Sequence, residues 1–168
     1  MERNIMVPGY VYHIKEDYFS IANDGKLMRN YEGGAYRPTY FCLRDKKTDL
    51  FWVIPMSSRT DKYRPFVERD KIKFGTCLKI VIARYGDQDS AFLLQNMFPI
   101  LPEYVDHIHT VKGRPVPVEE KVKTELLKAF MEVRRLHSRG AKVVFPDIDR
   151  LERLMLAERD KAESNTYE

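Results

Sequence analysis

Cysteine is scarce in this chain, with only Cys42 and Cys77 among 168 residues. Two thiols cannot staple a disulfide framework, and Cys42, inside the apolar run Tyr40-Phe41-Cys42-Leu43, reads as a small core residue rather than a bridge or nucleophile. Long hydrophobic runs are also missing. Nothing approaches the roughly 20 apolar residues of a membrane span, and Met1-Glu2-Arg3-Asn4 opens no signal-peptide hydrophobic region, so the expected location is the cytoplasm. Histidine numbers only four, and no cluster of carboxylates accompanies the polar motifs, so no metal and no cofactor is expected. There is no internal repeat and no low-complexity tract. What remains is 43% hydrophobic and 12% aromatic, enough for one sizeable core, and the expectation is a single domain over residues 1–168.

Charge is uneven although the net is only +4. Residues 59–84 carry 8 Lys/Arg against 3 Asp/Glu, and residues 112–142 carry 9 against 4. Between them residues 85–111 carry none against 4, and residues 147–168 are acidic, 4 against 7. One basic segment alone would be a solvated helix face; two in a small domain suit a polyanion groove.

Periodicity sets out the elements. Gly9 to Ile14 reads as a first strand and Lys15 to Ile21 as a short helical turn. Residues 23–36, with Asn23-Asp24-Gly25 and Gly33-Gly34, read as a long loop of the kind that carries function. Thr39 to Leu43 and Asp49 to Ile54 form a hairpin, with Pro55 marking its end because proline cannot donate to a sheet ladder. A helix is predicted over Arg64 to Lys73, and a second hairpin from Leu78 to Tyr85 and Ser90 to Gln95 around Gly86-Asp87-Gln88-Asp89. A short strand is placed at His107 to Val111. Apolar positions 118, 122, 126, 130 and 133, joined by Leu127, Met131 and Leu136, keep helical period up to Gly140. Asp149-Arg150-Leu151-Glu152 has the form of a capping box opening a last helix whose polar end frays from Asp160. The expected fold is α+β: a compact antiparallel sheet or small barrel with helices packed against it.

The chemistry concentrates where Phe51-Trp52-Val53-Ile54-Pro55-Met56 stops and Ser57-Ser58-Arg59-Thr60-Asp61-Lys62-Tyr63 begins. Two hydroxyls, a guanidinium and an ammonium at the end of a buried strand suit a phosphodiester. The plainer reading is that Ser57 or Ser58 caps a helix starting near Thr60, yet a helix N-terminus beside Arg59 and Lys62 is still an anion site. Arg37 is held extended by Pro38, which aims its side chain predictably; a surface arginine on a turn is the competing reading. His107 and His109 share one face of a strand but lack a third ligand at a persuasive spacing, His13 has no evident partner, and His137 suits a helix C-terminus. Among the many aromatics, Tyr18 and Tyr63 stand out because polar residues flank them, so they are candidates for stacking on unpaired bases.

These segments carry a resemblance. Val11-Tyr12-His13-Ile14 with Tyr18-Phe19, Arg37-Pro38-Thr39-Tyr40-Phe41-Cys42-Leu43, and Trp52 to Arg59 with Lys62-Tyr63 resemble the toxins of type III toxin-antitoxin systems, the ToxN and AbiQ group, most closely its CptN branch. Phe92 to Ile100 and Gly113-Arg114-Pro115 extend the likeness to about Val118, and the Arg-Pro strand with the Pro-(aliphatic)-Ser-Ser strand end is similar to MazF and Kid toxins. The resemblance implies an endoribonuclease on a MazF-type core that cuts RNA without a metal, leaves a 2′,3′-cyclic phosphate, and processes its own antitoxin precursor. It implies inhibition by a small, structured, repeat-derived antitoxin RNA pseudoknot, a closed protein-RNA ring such as a heterohexamer, cellular or phage RNA as substrate, and phage defence by abortive infection. Carried over by position, Ser57 and Ser58 match the family's hydroxyl pair, Lys62 is the nearest match to its catalytic lysine, and Tyr18 matches a tyrosine near the site in some relatives. Better-known relatives place the lysine closer to the hydroxyls, where this chain has Arg59-Thr60-Asp61, so the catalytic cation is open between Arg59 and Lys62.

A ribose 2′-hydroxyl attacking its own phosphate needs in-line geometry and charge stabilisation, which Ser57, Ser58 and Arg59 or Lys62 would supply. Arg37, Thr60, Tyr63, Lys71, Lys73, Arg114, Lys121, Arg134 and Arg135 are the candidate RNA-binding residues, the last four on the basic 112–142 segment expected to hold antitoxin RNA. Two rivals are a non-catalytic single-stranded RNA-binding module and a protein-interaction role centred on the acidic tail.

Overall fold

The computed structural model describes residues 6–166. Its strands are β1 (Val11–Ile14), β2 (Tyr31–Glu32), β3 (Ala35–Tyr36), β4 (Thr39–Arg44), β5 (Phe51–Ser57), β6 (Ile80–Tyr85), β7 (Gln88–Leu93), β8 (Phe98–Ile100), β9 (Val105–Ile108), β10 (Thr110–Val111) and β11 (Arg114–Pro115). The helices are α1 (Glu16–Ala22), α2 (Thr60–Phe74), α3 (Glu120–Ser138) and α4 (Ile148–Asn165). Seven strands form one antiparallel sheet in the order β6-β7-β5-β4-β1-β9, with β8 also on β5. The sheet is open, its edges being β6 and β9; it does not close into the small barrel that was the alternative in sequence.

Strand β5 is the axis of the sheet, and all seven of its residues are buried. One edge pairs with β4 along its length, from Arg44↔Phe51 to Thr39↔Pro55, with an irregularity at Cys42. The other edge is divided: Phe51, Trp52 and Val53 pair with β8, whereas Met56 and Ser57 pair with β7. Pro55 therefore does not end the strand as its sequence suggests. The Met56 N–H points to the Pro38 carbonyl on the β4 side. Successive N–H groups alternate direction, so the position where Pro55 lacks a donor faces the gap between β8 and β7. No ladder bond is lost there.

Alternation along β5 builds the core on both faces. Trp52, Ile54 and Met56 join Tyr40, Phe92 and the buried stripe Val122, Leu126, Phe130 and Val133 of α3. Phe51 and Val53 face Tyr18, Phe98, Leu151 and Met155, from α1, β8 and α4. A third cluster seats Tyr63 and Val67 of α2 on Ile80, Ala91 and Leu93. Burying these side chains, at about 1.5–3 kcal/mol for each large apolar group, is what holds four helices to one sheet. Burial pushes the Cys42 thiol up to about 12, making it an inert core group. Among the described residues no helix is long and apolar enough to cross a membrane.

Both predicted hairpins form, as β4–β5 and β6–β7, with Leu94–Asn96 turning into a 3₁₀ segment. Several boundaries move. Helix α2 begins four residues before Arg64, leaving Pro65 inside it; at its sixth position the proline removes one backbone donor, a cost that packing of Tyr63 and Val67 outweighs. The strand expected at His107 starts at Val105, because the chain pairs Val105 with Ile14 and Ile108 with Tyr12. Leu127 and Met131, assigned to the core stripe of α3, are 44% and 59% exposed. The last helix opens two residues before the predicted box: the Asp147 side chain accepts the Arg150 N–H at 3.1 Å. It then stays helical through Asn165 instead of fraying from Asp160.

Candidate active site

The hydroxyl-bearing end of β5 opens into a cleft of about 350 Å³ lined by Glu32, Tyr36, Arg37, Pro38, Met56, Ser57, Ser58 and Arg59, among others. Its far wall is the small hairpin β2–β3, which rises from the loop predicted over residues 23–36. Gly33 and Gly34 have φ of 64° and 84°, the left-handed pair that a two-residue hairpin turn requires. Tyr31 and Tyr36 stand exposed on it with their ring centroids 4.9 Å apart, edge to face.

Arg37 fastens this hairpin to β5. Its Nε donates to the Arg29 carbonyl at 2.8 Å, Nη1 to the Met56 carbonyl at 3.0 Å, and Nη2 to Glu32 Oε2 at 2.8 Å. The side chain is 10% exposed. Proline at position 38 explains the aim, since it holds Arg37 extended alongside Met56. Arg37 thus brings charge to the cleft while most of its donors are committed to the protein. Arg59 is the freer guanidinium, 64% exposed and 3.7 Å from the other oxygen of Glu32. Glu32 bridges the two arginines.

Ser57 is buried and its Oγ accepts the Arg59 N–H at 3.2 Å; Ser58 is exposed, and its carbonyl accepts the Thr60 N–H at 2.9 Å. Ser57 therefore does part of what the plainer reading assigned to it, holding the turn into α2. Arg59 sits at the N-cap and offers no side-chain acceptor to the first turn of α2. The positive end of that helix faces the same space as Ser58 and Arg59.

The structure divides the candidate residues. Ser57, Ser58, Arg37 and Arg59 share the cleft. Lys62 does not; it lines an adjoining groove on the other side of Tyr63. Tyr63 is 6% exposed, so its ring is not free for open stacking on its own, and burial raises its hydroxyl above the usual value. Tyr18 is corrected outright. It is fully buried, stacks on Phe98 at 5.0 Å, and donates its hydroxyl to the Pro99 carbonyl at 3.0 Å, which places it in the core. Arg134 is also withdrawn as a free RNA contact: its guanidinium lies 4.4 Å from the Trp52 ring centre and 3.2 Å from Asp45. Arg135 is paired with Glu132. Thr60 is half-buried at the start of α2, Lys71 and Lys73 are exposed in its last turn, and Arg114 and Lys121 are exposed on β11 and α3.

One feature had no reading in sequence. Glu32 was passed over in a loop whose Gly-Gly pair between two tyrosines is itself a hairpin signal. Another corrects a reading: His13, which had no evident partner in sequence, joins His107 and His109 in a cluster. Pairing of β1 with β9 sets His13 opposite His107, with ring centroids 4.6 Å apart, and His13 Nε2 lies 2.8 Å from His109 Nδ1. Burial, then the neighbouring imidazoles, lower His13 to about 4; His109 is lowered for the same reasons. No group of three or more His, Cys, Asp or Glu among the described residues has metal-binding geometry.

No family model and no curated protein sequence matches the chain. Solved structures do, two of them over nearly the whole chain. AbiQ, a lactococcal anti-phage endoribonuclease belonging to the type III toxin-antitoxin system, aligns over 89% of this chain and 97% of its own with a TM-score of 0.65 at 15% identity. The chain has the AbiQ fold. The second, from a bacterial type III toxin-antitoxin system in which a non-coding RNA pseudoknot inhibits the toxin, aligns over 91% of this chain and 99% of its own, with a TM-score of 0.67 at 15% identity. Near-complete coverage in both directions means that the AbiQ fold accounts for the whole sheet together with its helices, not one hairpin.

Proposed function

We propose that this chain is an endoribonuclease toxin of a type III toxin-antitoxin system, of the ToxN and AbiQ group and its CptN branch. The observation that carries the reading is one cleft at the end of β5 where Ser57, Ser58, Arg37 and Arg59 converge, in a fold shared with an anti-phage endoribonuclease. A phosphodiester entering there meets an exposed hydroxyl, the exposed guanidinium of Arg59 and the N-terminus of α2. The ribose 2′-hydroxyl gives up its proton as its oxygen attacks the adjacent phosphorus, the bond to the 5′-oxygen breaks and that oxygen takes up a proton, leaving a 2′,3′-cyclic phosphate and a 5′-hydroxyl. Because nucleophile and electrophile belong to one nucleotide, positioning supplies much of the rate and no metal-bound water is called for. Arg59 with Ser58 stabilises the charge that gathers on the phosphoryl oxygens, which makes Arg59 rather than Lys62 the principal cation of this mechanism. The required 2′-hydroxyl confines the substrate to RNA.

A structured antitoxin RNA, processed by the same site, would inhibit the protein in the cytoplasm, and a closed ring of alternating protein and RNA is the expected assembly. Release of the toxin would act on cellular or phage RNA in abortive infection. The test is incubation of RNA-free purified protein with mixed-sequence single-stranded RNA in excess EDTA, with Ser58→Ala and Arg59→Ala as controls and the product ends typed. Cyclic-phosphate ends that vanish in the variants support the reading. Intact RNA that still binds replaces it with a non-catalytic RNA-binding module.

A further inference from the structure

Helix α2 exposes more apolar surface than a solvated helix needs, and it does so beside the cleft. Phe66 is 43% exposed on it, and Phe145, in the loop before α4, is 57% exposed. Both rings line a groove of about 400 Å³ together with Lys62, Tyr63, Arg69 and Gln95. The cations there are placed over rings: Arg69 Cζ is 5.1 Å from the Phe66 centroid and Lys62 Nζ 5.5 Å from that of Tyr63. Neither Lys62 nor Arg69 has a carboxylate within 4.0 Å among the described residues, whereas Lys79 in the same groove is taken by Asp70 at 3.7 Å. The Gln95 backbone is fully used, its N–H donating to Lys79 and its carbonyl accepting from Phe145. Gln95 lines the groove, half-buried, and its side-chain amide makes no hydrogen bond among the described residues.

Tyr63 joins the two spaces. It lines the groove and stands one helical turn after Arg59, which lines the cleft.

We propose that the groove built by Lys62, Phe66, Arg69, Gln95 and Phe145 is a nucleobase subsite, taking one unpaired base next to the scissile phosphate. The proposal rests on the endoribonuclease reading of the adjoining cleft. Two exposed rings supply stacking planes that any base can use, Lys62 and Arg69 meet the phosphate that the base carries, and the Gln95 amide offers one donor and one acceptor to the base edge. This gives Lys62 a role away from the reacting bond: it positions substrate.

Two measurements test it. Cleavage of a random-sequence RNA pool by wild type, Phe66→Ala, Phe145→Ala and Gln95→Ala is mapped by sequencing the cut ends. The expected result is a loss of about tenfold in kcat/KM for each phenylalanine variant, with weakened preference at a single nucleotide position beside the cut; Gln95→Ala changes the preference more than the rate. Separately, Phe66→Trp places an exposed indole in a protein whose single tryptophan, Trp52, is buried. Its fluorescence is titrated with a fully 2′-O-methylated single-stranded oligonucleotide, which cannot be cut by 2′-hydroxyl attack. Saturable quenching that Phe145→Ala weakens supports the subsite even if wild type cuts no RNA, an outcome that would refute only the nuclease reading. Unchanged cut-site preference in all three variants, together with no quenching, overturns the subsite while leaving the nuclease intact.

Discussion

Acidification should loosen this fold through His13. Its imidazole sits against two others, 2.8 Å from His109 Nδ1 and stacked on His107, and its own Nδ1 is buried without a hydrogen-bond partner. Burial and the neighbouring imidazoles hold it at about 4, well below the ordinary 6.5, against a small opposing pull from Asp106. In the unfolded chain the same ring takes a proton near pH 6.5. Between pH 6.5 and about 4 the unfolded state therefore binds more protons, and stability falls as pH falls through that window. At about 1.4 kcal/mol per pH unit the ceiling is about 3 kcal/mol. The ring is only half-buried, and solvent screening reduces this to about 1–2 kcal/mol. With a urea m-value of about 2 kcal/mol/M, the unfolding midpoint should move down by roughly 0.5–1 M between pH 7 and pH 4.5 through this residue alone. The assay is urea unfolding of wild type and His13→Phe across that range, because the comparison cancels the carboxylates, which titrate equally in both. Parallel midpoint-versus-pH curves for the two proteins would refute the reasoning.

Arg37→Met removes donors to the Arg29 and Met56 carbonyls and to Glu32; a loss of about 2–4 kcal/mol in urea unfolding is expected, together with loss of RNA cleavage. Arg59→Ala should lower kcat for RNA cleavage by about 10²–10³-fold, whereas Lys62→Ala should act mainly on KM; equal losses of kcat would return Lys62 to the reacting phosphate. Tyr18→Phe leaves the Pro99 carbonyl without its donor and should cost about 1–2 kcal/mol by thermal unfolding with cleavage unchanged within twofold. Asp147→Ala removes the cap of α4, an expected loss of about 1 kcal/mol read from the same unfolding curves.

The sheet was legible wherever the pattern is local. The β4–β5 and β6–β7 hairpins follow from apolar runs around polar turns, and the period of α3 from Val122, Leu126, Phe130 and Val133. Pairings between distant segments were not legible, because nothing in residues 11–14 names residues 105–108 as their neighbour; His13 was therefore read without the partners that this pairing gives it. At the site, Ser57, Ser58, Arg59 and Arg37 were visible from the strand end and from Pro38. Tyr18 misled because polar neighbours on α1 do not reveal which way its ring faces: the helix turns it inward onto Phe98. Arg134 misled because charge in a sequence does not show that an arginine lies across a tryptophan.

The divided edge of β5 also sets a timetable. Strand β5 has β4 beside it as soon as residue 57 has been made, but the backbone partners of Met56 and Ser57 are Phe92 and Ala91, about 35 residues later. At synthesis rates of 5–20 residues per second, that interval is about 2–7 s. During it the hydroxyl-bearing end of the strand has one free edge, and α2 lacks the β6–β7 surface on which Tyr63 and Val67 settle. Until the strand that follows Gly86 has been delivered, the cleft at Ser57, Ser58 and Arg59 therefore stands on a strand end that lacks one of its two neighbours.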